Sequence, residues 1–472
     1  MRSWSTLVAV SIGTFMLLVD VTIVTVALPS VARDLHASLD GLQWVLDAYA
    51  LALAALLLGA GALADRHGRR LLYLAGTGVF AVASLLCALA PNAGLLVAAR
   101  LVQGAGGAAM FATTAALLNV AYTGRARGIA FGVWGAVNGA AAAAGPIVGG
   151  LLTEHLGWRW IFLVNLPVSV LAVWWTVRGV TESRGRSQAR PDLAGTATFT
   201  TGVAAVTFAL IRGGQAGWTA GSTLAAFAVA AVALAAFLVV ETRTGDPMLD
   251  LRLFTAGPFG LLMASAALAQ AAAFACLPFT TVWLQEFLGK GPVEAGVLGA
   301  LPLSATTLVV AGAFGRHLQR VAPRWTIGGG LLLIGAGAAA QGRLTATSTA
   351  TALVPGLVLV GLGVAASLPT FASAALAAVP PERSGMAAGA LNTFRQVGFA
   401  LGIAVFGAVY GTGHAPGTAG AGAAASAVNH VMAAAAVAAL VAAVAVLLLL
   451  RTDRPAGAAT PVPPGPFTAP VD

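Results

Sequence analysis

The feature that most constrains this chain is a recurring apolar run long enough to cross a bilayer. A membrane-spanning helix takes about 20 mostly apolar residues, and such runs repeat from Leu7 to Leu450. Hydrophobic residues make up 58% of the 472 and charged residues 9%, more apolar side chain than a soluble core of this length can hide. An all-α integral membrane protein is expected. The 58 glycines and many alanines suit helices whose backbones approach closely in lipid. A genomic base bias contributes too, since Lys290 is the only lysine beside 24 arginines. The first run is too long for a secretory leader and has no small-residue cleavage site before Pro29, so it is expected to stay as the first span.

Breaks at charged, Pro-rich or Gly-rich turns give fourteen spans, near 7–28, 42–62, 71–90, 95–118, 129–152, 161–178, 193–211, 223–240, 258–281, 294–314, 326–341, 350–376, 386–410 and 430–450. An even number puts both termini on one side. With that side as the cytoplasm, eighteen arginines fall on inner loops. Arg33, Arg159, Arg212, Lys290 and Arg343 fall outside, while Arg100 and Arg395 lie within or at the edge of spans. The positive-inside rule predicts this bias, so the expected location is the plasma membrane, multi-pass, with both termini cytoplasmic. The same scatter accounts for the net charge of +9 without a nucleic-acid partner.

Two stretches punctuate the spans. The basic loop "RGVTESRGRSQARPD" (Arg178 to Asp192) closes the first six, and "DPMLDLRLF" (Asp246 to Phe254), mixed like an interfacial segment, opens the last six. Two spans lie between. The expected division is 1–180, a six-helix bundle; 181–245, a cytoplasmic linker and two extra helices; 246–451, a second six-helix bundle; and 452–472, a Pro-rich disordered cytoplasmic tail. Glu286 and Glu294 are assigned to an outer loop. Cys87 and Cys276 fall inside spans and read as small buried hydrophobes, and the six histidines lack metal-ligand spacing, so neither metal nor cofactor is expected.

The two sixes share a pattern. In "RGIAFGVWGAVNGAAAAAG" Gly128, Gly132 and Gly145 stand at offsets 0, 4 and 17, and in "SGMAAGALNTFRQVGFALG" Gly385, Gly389 and Gly402 stand at the same offsets. Both follow a short basic inner loop. Duplicated halves of this kind mark transporters that handle substrate at the interface between repeats, near mid-membrane.

After the second span comes "GALADRHGRR", Gly61 to Arg70. As a turn between helices it is well made: Gly61 permits close packing, Gly68 the turn, and Asp65 can pair with an arginine or a neighbouring helix N-terminus. The string resembles the cytoplasmic loop signature of the major facilitator superfamily, with every fixed position met. The resemblance implies that Gly61, Asp65, Gly68 and Arg69 latch two halves of the molecule in one state. "GRHLQRVAPR" (Gly315 to Arg324) stands at the equivalent place but lacks the aspartate, so a weaker latch is expected there.

"RLVQGAGGAA" (Arg100 to Ala109) is similar to the family's second motif, whose buried arginine is associated with proton coupling. "NGAAAAAGPIVGG" (Asn138 to Gly150) resembles the motif associated with exporters, carried by Gly145, Pro146, Gly149 and Gly150. Gly145 and Pro146 remove a side chain and a backbone donor, which lets a helix bend and pack closely at a moving interface. With "GWRWIFLVNLP" and "LLVDVTIVTVALP", the resemblance extends to the fourteen-helix drug:proton antiporter branch over essentially the whole chain. It implies a major facilitator fold of two six-helix bundles plus two central linker helices, acting as a monomer. Asp47 in "WVLDAYAL" stands where a neutral residue is more usual, which bears on substrate charge preference or proton stoichiometry.

Asp20 lies eight residues before Pro29, about 12 Å below the outer surface, while Asp47 and Arg100 lie about 7 to 8 Å inside the outer ends of their spans. Three ionisable groups at one level, on spans one, two and four, can meet across an aqueous cavity, whereas lipid exposure costs about 2.5 to 3.5 kcal/mol each. One reading is a proton site: burial disfavours a charged carboxyl and a nearby arginine favours it, so a change of access lets Asp20 take and release a proton. The other is a static ion pair, with Asp47 facing the outer water. Arg395 and Gln396 in span thirteen, Gln270 in span nine and Asn138 in span five are further cavity candidates; snorkelling to the inner surface accounts for Arg395 equally well, and helix packing accounts for Gln270.

No phosphate-binding loop is present, since Lys290 is followed by glycine, so ATP is not the fuel. The expected function is proton-coupled efflux of small apolar or cationic compounds by alternating access. Export of a metabolite made by the cell itself, such as an antibiotic, is the alternative. A membrane-embedded enzyme or scaffold finds no support, because di-metal histidines, Gly-x-Ser-x-Gly and a dinucleotide fingerprint are missing.

Overall fold

The computed structural model describes residues 2–37, 39–122, 124–184, 192–245, 247, 249–255, 257–318, 321–379, 384–413 and 421–450. The Pro-rich tail, most of the long basic loop and part of the 315–324 string lie outside the described residues. Every regular element described is helical: α1 (Arg2–Leu35), α2 (Leu39–His67), α3 (Arg69–Ala88), α4 (Ala93–Ala121), α5 (Gly124–His155), α6 (Trp160–Leu163), α7 (Asn165–Gly179), α8 (Leu193–Ala216) and α9 (Gly221–Arg243). There follow α10 (Arg252–Thr255), α11 (Phe259–Gln270), α12 (Leu277–Val282), α13 (Pro292–Gly299), α14 (Leu301–Leu318), α15 (Pro323–Gln341), α16 (Val354–Ala377), α17 (Ser384–Gly413) and α18 (Ala421–Leu449).

Among the described residues, ten helices are long and apolar enough to cross a membrane, or up to twelve if each of two bent pairs is one span. One bend, of 49°, divides α2 between Leu57 and Gly59; the other, of 43°, separates α13 from α14. Leu71, Val82, Val232 and Leu448 are large, apolar and exposed, which is stable where the surrounding solvent is hydrocarbon.

The helices outrun the apolar runs that announce them. Helix α1 continues through Pro29 to Leu35, where Ala37 N donates to Ala32 O at 3.0 Å and satisfies a last-turn carbonyl. Glu286 and Glu294 are likewise not loop residues: Glu286 sits in a π-helical turn, Trp283–Phe287, and Glu294 in the first turn of α13, paired with Lys290 at 2.6 Å. A charge ends a hydropathy run, but the helix goes on wherever the side chain can reach the interface. A second π-helical segment, Ala271–Ala275, joins α11 to α12. Pro278 has no N–H to give Phe274 O, and the turn before it widens.

Helices α1–α7 pack on one another through α1 with α4, α5 and α7 and through α4 with α2 and α3. Helices α11–α18 pack through α15, α16 and α18 and through α11 with α17. These are called the first and second bundles. The α8–α9 hairpin lies against α2 and α17, one helix of each. The Gly68 turn between α2 and α3 defines the basic end of the molecule, and the α1–α2 turn the far end.

Candidate functional site

Four helices of the first bundle deliver polar side chains to one buried point. Asp20 of α1 is 0% exposed and Arg100 of α4 is 1% exposed. Arg100 Nη1 donates to Asp20 Oδ2 at 2.6 Å and to Gln103 Oε1 at 2.7 Å, while Arg100 Nε donates to Val45 O at 3.1 Å. Asp20 Oδ1 accepts from Gln103 Nε2 at 2.9 Å and from Asn165 Nδ2, at the start of α7, at 2.8 Å. Gln103 also donates to Ser84 Oγ of α3 at 2.8 Å, and Ser84 Oγ in turn donates to Phe80 O at 2.8 Å. Tyr49 of α2 lays its ring against the guanidinium, 4.2 Å from the centroid.

Such a network supplies each charge with a partner and each partner with another, which a buried ion pair requires if it is not to cost stability. It is sealed, so the aqueous cavity expected between Asp20 and Arg100 is not what joins them. The expected third member is elsewhere. Asp47 is 0% exposed and neither carboxyl oxygen has a hydrogen-bond partner among the described residues. Val45 and Tyr49 turn toward Arg100, and Asp47, two residues from each at about 100° per residue, points to the other side of α2. Neither a shared cluster nor the outer water describes it.

The exporter-like motif on α5 is a wedge. A Cβ on Gly145 would strike Thr22 Oγ1 of α1, and one on Gly149 would stand 2.9 Å from Ile23 O. Gly150 faces the second bundle, where its Cβ would sit 2.5 Å from Val293 Cα, and Pro146 O fills the space beside Gly296 of α13. Helix α5 runs unbroken through Pro146, so close approach rather than a break is what this motif supplies here. Two hydrogen bonds cross the same seam: Gln285 Nε2 donates to Val26 O at 2.8 Å, and Val293 N to Glu154 Oε2 at 3.4 Å. The bundles are thus sealed together at the far end.

At the basic end, Arg69 pairs with Asp65 at 2.8 Å. The α3 N-terminus, however, is held by Glu182, just past α7, and not by Asp65: Glu182 Oε1 accepts from Arg70 N and Oε2 from Leu71 N, each at 3.0 Å. Arg69 N donates to Ser183 O at 2.9 Å and Arg70 Nη2 to Val177 O at 2.9 Å. Gly68 has φ +125°, and any Cβ there would stand 2.7 Å from the Glu182 carboxyl carbon, so both backbone and space demand glycine. Gly61 differs: a Cβ there meets nothing within 4 Å, so it supports no close packing in this state. Every contact of this loop given above stays within the first bundle.

In the second bundle Arg395 Nε donates to Gln270 Oε1 at 3.2 Å, beside the π-helical segment of α11. Arg395 lies eleven residues into α17, about 16 Å along the helix, too deep for the snorkelling expected of it. Among the described residues no carboxylate pairs with it. Gln396 is half-buried beside it. Asn138, half-buried on α5, keeps an Oδ1 with no partner among the described residues. Arg395 stands ten residues after Gly385 and Asn138 ten after Gly128, so the two occupy matching places in the glycine pattern. Gly402 and Gly145 match as well: Gly402 packs on Ala271 and Ala275, as Gly145 packs on Thr22.

Sequence reasoning missed Gln103, Asn165, Ser84 and Glu182. The first three are neutral residues on three helices with no common spacing; Glu182, an acid in an arginine-rich loop, is the one a charge pattern could have found.

A family model described as Major Facilitator Superfamily matches residues 10–403 and 262–470. The chain is 38% identical over 405 residues to the multidrug resistance protein Stp of Mycobacterium tuberculosis, covering 86% of this chain and 75% of that protein. It is 36% identical over 410 residues to a tetracenomycin C resistance and export protein of Streptomyces glaucescens, covering 86% and 76%. Among solved structures, a bacterial homologue of the human lysosomal transporter Spinster, inward-facing and unoccupied, superposes with TM-score 0.66 at 19% identity, over 98% of this chain and 99% of that one. The human organic anion transporter MFSD10 gives 0.64 at 16%, over 93% and 99%. The packed helical bundles, the α2–α3 turn and these likenesses agree: the chain belongs to the major facilitator superfamily.

Proposed function

We propose that this protein is a secondary active transporter, exporting small apolar or cationic compounds across the plasma membrane in exchange for protons. The observation that carries the reading is the sealed Asp20–Arg100 pair, in a chain whose relatives are named for multidrug and antibiotic resistance. Asp20 as carboxylate satisfies Arg100; a proton on Asp20 leaves that cation unpaired and the network must rearrange. Helix α1 carries the consequence. Within seven residues it holds Asp20, the Thr22 and Ile23 surface against the α5 wedge, and Val26 O, which takes the bond from Gln285. A proton at Asp20 therefore acts on the seam through one rigid helix, which is the linkage alternating access needs.

The fourteen-span arrangement belongs to this reading. Helices α5 and α15, with 32 and 19 residues, add two spans to the twelve counted with the bent pairs. The first six spans lie in 1–180, the hairpin in 181–245 and the last six in 246–451. The arginine bias puts the basic end and both termini in the cytoplasm. The far-end seam is then the closed outer gate, and the Asp65–Arg69 turn latches onto the second bundle when the inner side closes. The monomer is the working unit, because the seam and the charge cluster are complete in one chain.

Resistance profiling of deletion and overexpressing strains, followed by pH-gradient-driven transport of the compounds found in reconstituted vesicles, tests the function. Transport that ignores the gradient refutes the coupling. A second reading, export of one antibiotic made by the cell itself, is favoured by the relative named for both resistance to and export of tetracenomycin C; a resistance profile confined to one compound class would select it.

A further inference from the structure

Asp192 and Glu241 meet at the basic end of the α8–α9 hairpin, apart from the Asp20 cluster and the seam. Asp192 caps α8, its Oδ1 accepting from Gly195 N at 2.7 Å. Glu241, 4% exposed near the end of α9, accepts Leu249 N on Oε2 at 3.1 Å and so ties the chain entering the second bundle to the hairpin. The other oxygen of each carboxyl, Asp192 Oδ2 and Glu241 Oε1, is buried and finds no donor among the described residues. Both oxygens face one spot: a Cβ on Gly195 would collide with Asp192 Oδ2 and stand 2.7 Å from Glu241 Oε1. The two carboxyls are within hydrogen-bonding reach of each other. None of the ion pairs among the described residues includes either acid. Of the other charged groups on the packed elements, Arg243 and Arg252 are exposed, Asp250 Oδ1 accepts from Arg252 N, and Asp65 on α2 is taken by Arg69.

Two buried acceptors in contact, with no donor to either among the described residues, repel unless one carries a proton. We propose that Asp192 and Glu241 form a carboxyl–carboxylate pair holding one shared proton, a second proton-binding site that makes the joint between the hairpin and the second bundle sensitive to pH. A single O–H···O⁻ bond satisfies both orphaned oxygens at once. Removing that proton sets two negative charges across Gly195 and loosens the Leu249 tie. Separate exposed carboxyls give up their protons near pH 4 or about that value. At neutral pH the folded protein therefore binds one proton more than the unfolded chain, and the stabilisation falls as pH rises.

The test uses the full-length purified protein. Thermal midpoints are followed from about pH 5.5 to about pH 8.5 for the wild type, Asp192→Asn and Glu241→Gln, each variant supplying an amide donor where the proton sits. The expected result is a wild-type midpoint that falls with pH and a flatter profile in both variants. An infrared band of a protonated carboxyl, shifted in D2O, is expected to persist in an Asp20→Asn, Asp47→Asn background and to vanish on adding Glu241→Gln. Unchanged pH profiles in both variants overturn the proposal. So does loss of the band in the Asp20→Asn, Asp47→Asn background, a readout that stands even where Glu241→Gln fails to fold. Restoration of the midpoint at high pH by sodium but not by choline at equal ionic strength also overturns it, in favour of a bound cation.

Discussion

Asn138 and Arg395 hold matching places in α5 and α17, yet the two bundles bury opposite chemistry. In the first bundle the charge lies on α1 and α4 and is neutralised within a five-residue network, and Asn138 is neutral. In the second the counterpart of Asn138 is itself the charge, and the partner described for Arg395 is the neutral amide of Gln270. The glycine contacts are shared, Gly145 on α1 and Gly402 on the α11 segment, so the scaffold is repeated while its electrostatics are not. A paired charge can switch by losing its partner to a proton; Arg395, with no carboxylate partner among the described residues, has none to lose.

Removing each arginine is the strongest way to break this comparison. Arg100→Leu strands Asp20 in a sealed site at a cost of about 3 to 5 kcal/mol, so folded yield in detergent is expected to collapse. Arg395→Leu forfeits the hydrogen bond to Gln270, about 1 kcal/mol, and removes a half-buried charge with no carboxylate partner among the described residues, so its yield should hold. Equal losses would mean that the bundles do not differ in the way described.

Next come the carboxylates. Asp20→Asn keeps size and hydrogen-bonding shape and is expected to leave folded protein whose pH-gradient-driven transport in vesicles drops at least about tenfold, whereas Asp47→Asn, which removes a group with no partner, keeps most of it. If Asp47→Asn alone abolished coupling, the titrating site would move to the face of α2 turned away from α4. A smaller effect is expected at the seam. Gly150→Val pushes against the backbone of Val293 and should cost the far-end-closed state about 1 to 3 kcal/mol, read as faster labelling of cysteines placed beside the seam; Gly402→Val, inside one bundle, should lower the thermal midpoint without changing that labelling.

The smallest expected change is at the basic end. Glu182→Ala removes the cap of α3 and should destabilise by about 1 kcal/mol, measured as a lower midpoint, while Asp65→Asn leaves the midpoint near wild type and lowers transport. The reverse order would give Asp65 the capping role that the structure assigns to Glu182.

What was legible in advance follows from what hydrocarbon makes conspicuous. Asp20 and Arg100 stood out because ionisable residues are rare in apolar runs, and counting 1.5 Å per residue matched their levels. Depth says nothing about direction, and Asp47, two residues from Tyr49, turned the other way although its level fitted. Arg395 was placed too shallow because snorkelling was allowed to a side chain already nine residues inside the expected span, about 14 Å from its start. Gln103, Asn165 and Ser84 are neutral, and only the assembled bundle shows that they converge. The order of helices could be read from periodic apolar stretches, but their ends could not: Leu35, Glu286 and Glu294 are helical because side chains and neighbouring turns satisfy the last peptide groups, information that hydropathy does not hold.

The contact of Gly150 with Val293 is one of main chain against main chain, and this bears on how such a protein can change over generations. New compounds are accommodated by altering side chains along the path between the bundles. None of those changes has to disturb a closure that depends on bare backbone shape at Gly150, Pro146 and Gly296. Recognition and closure thereby rest on different atoms: side chains can be exchanged along the path while the backbone fit at Gly150 and Val293 stays as it is.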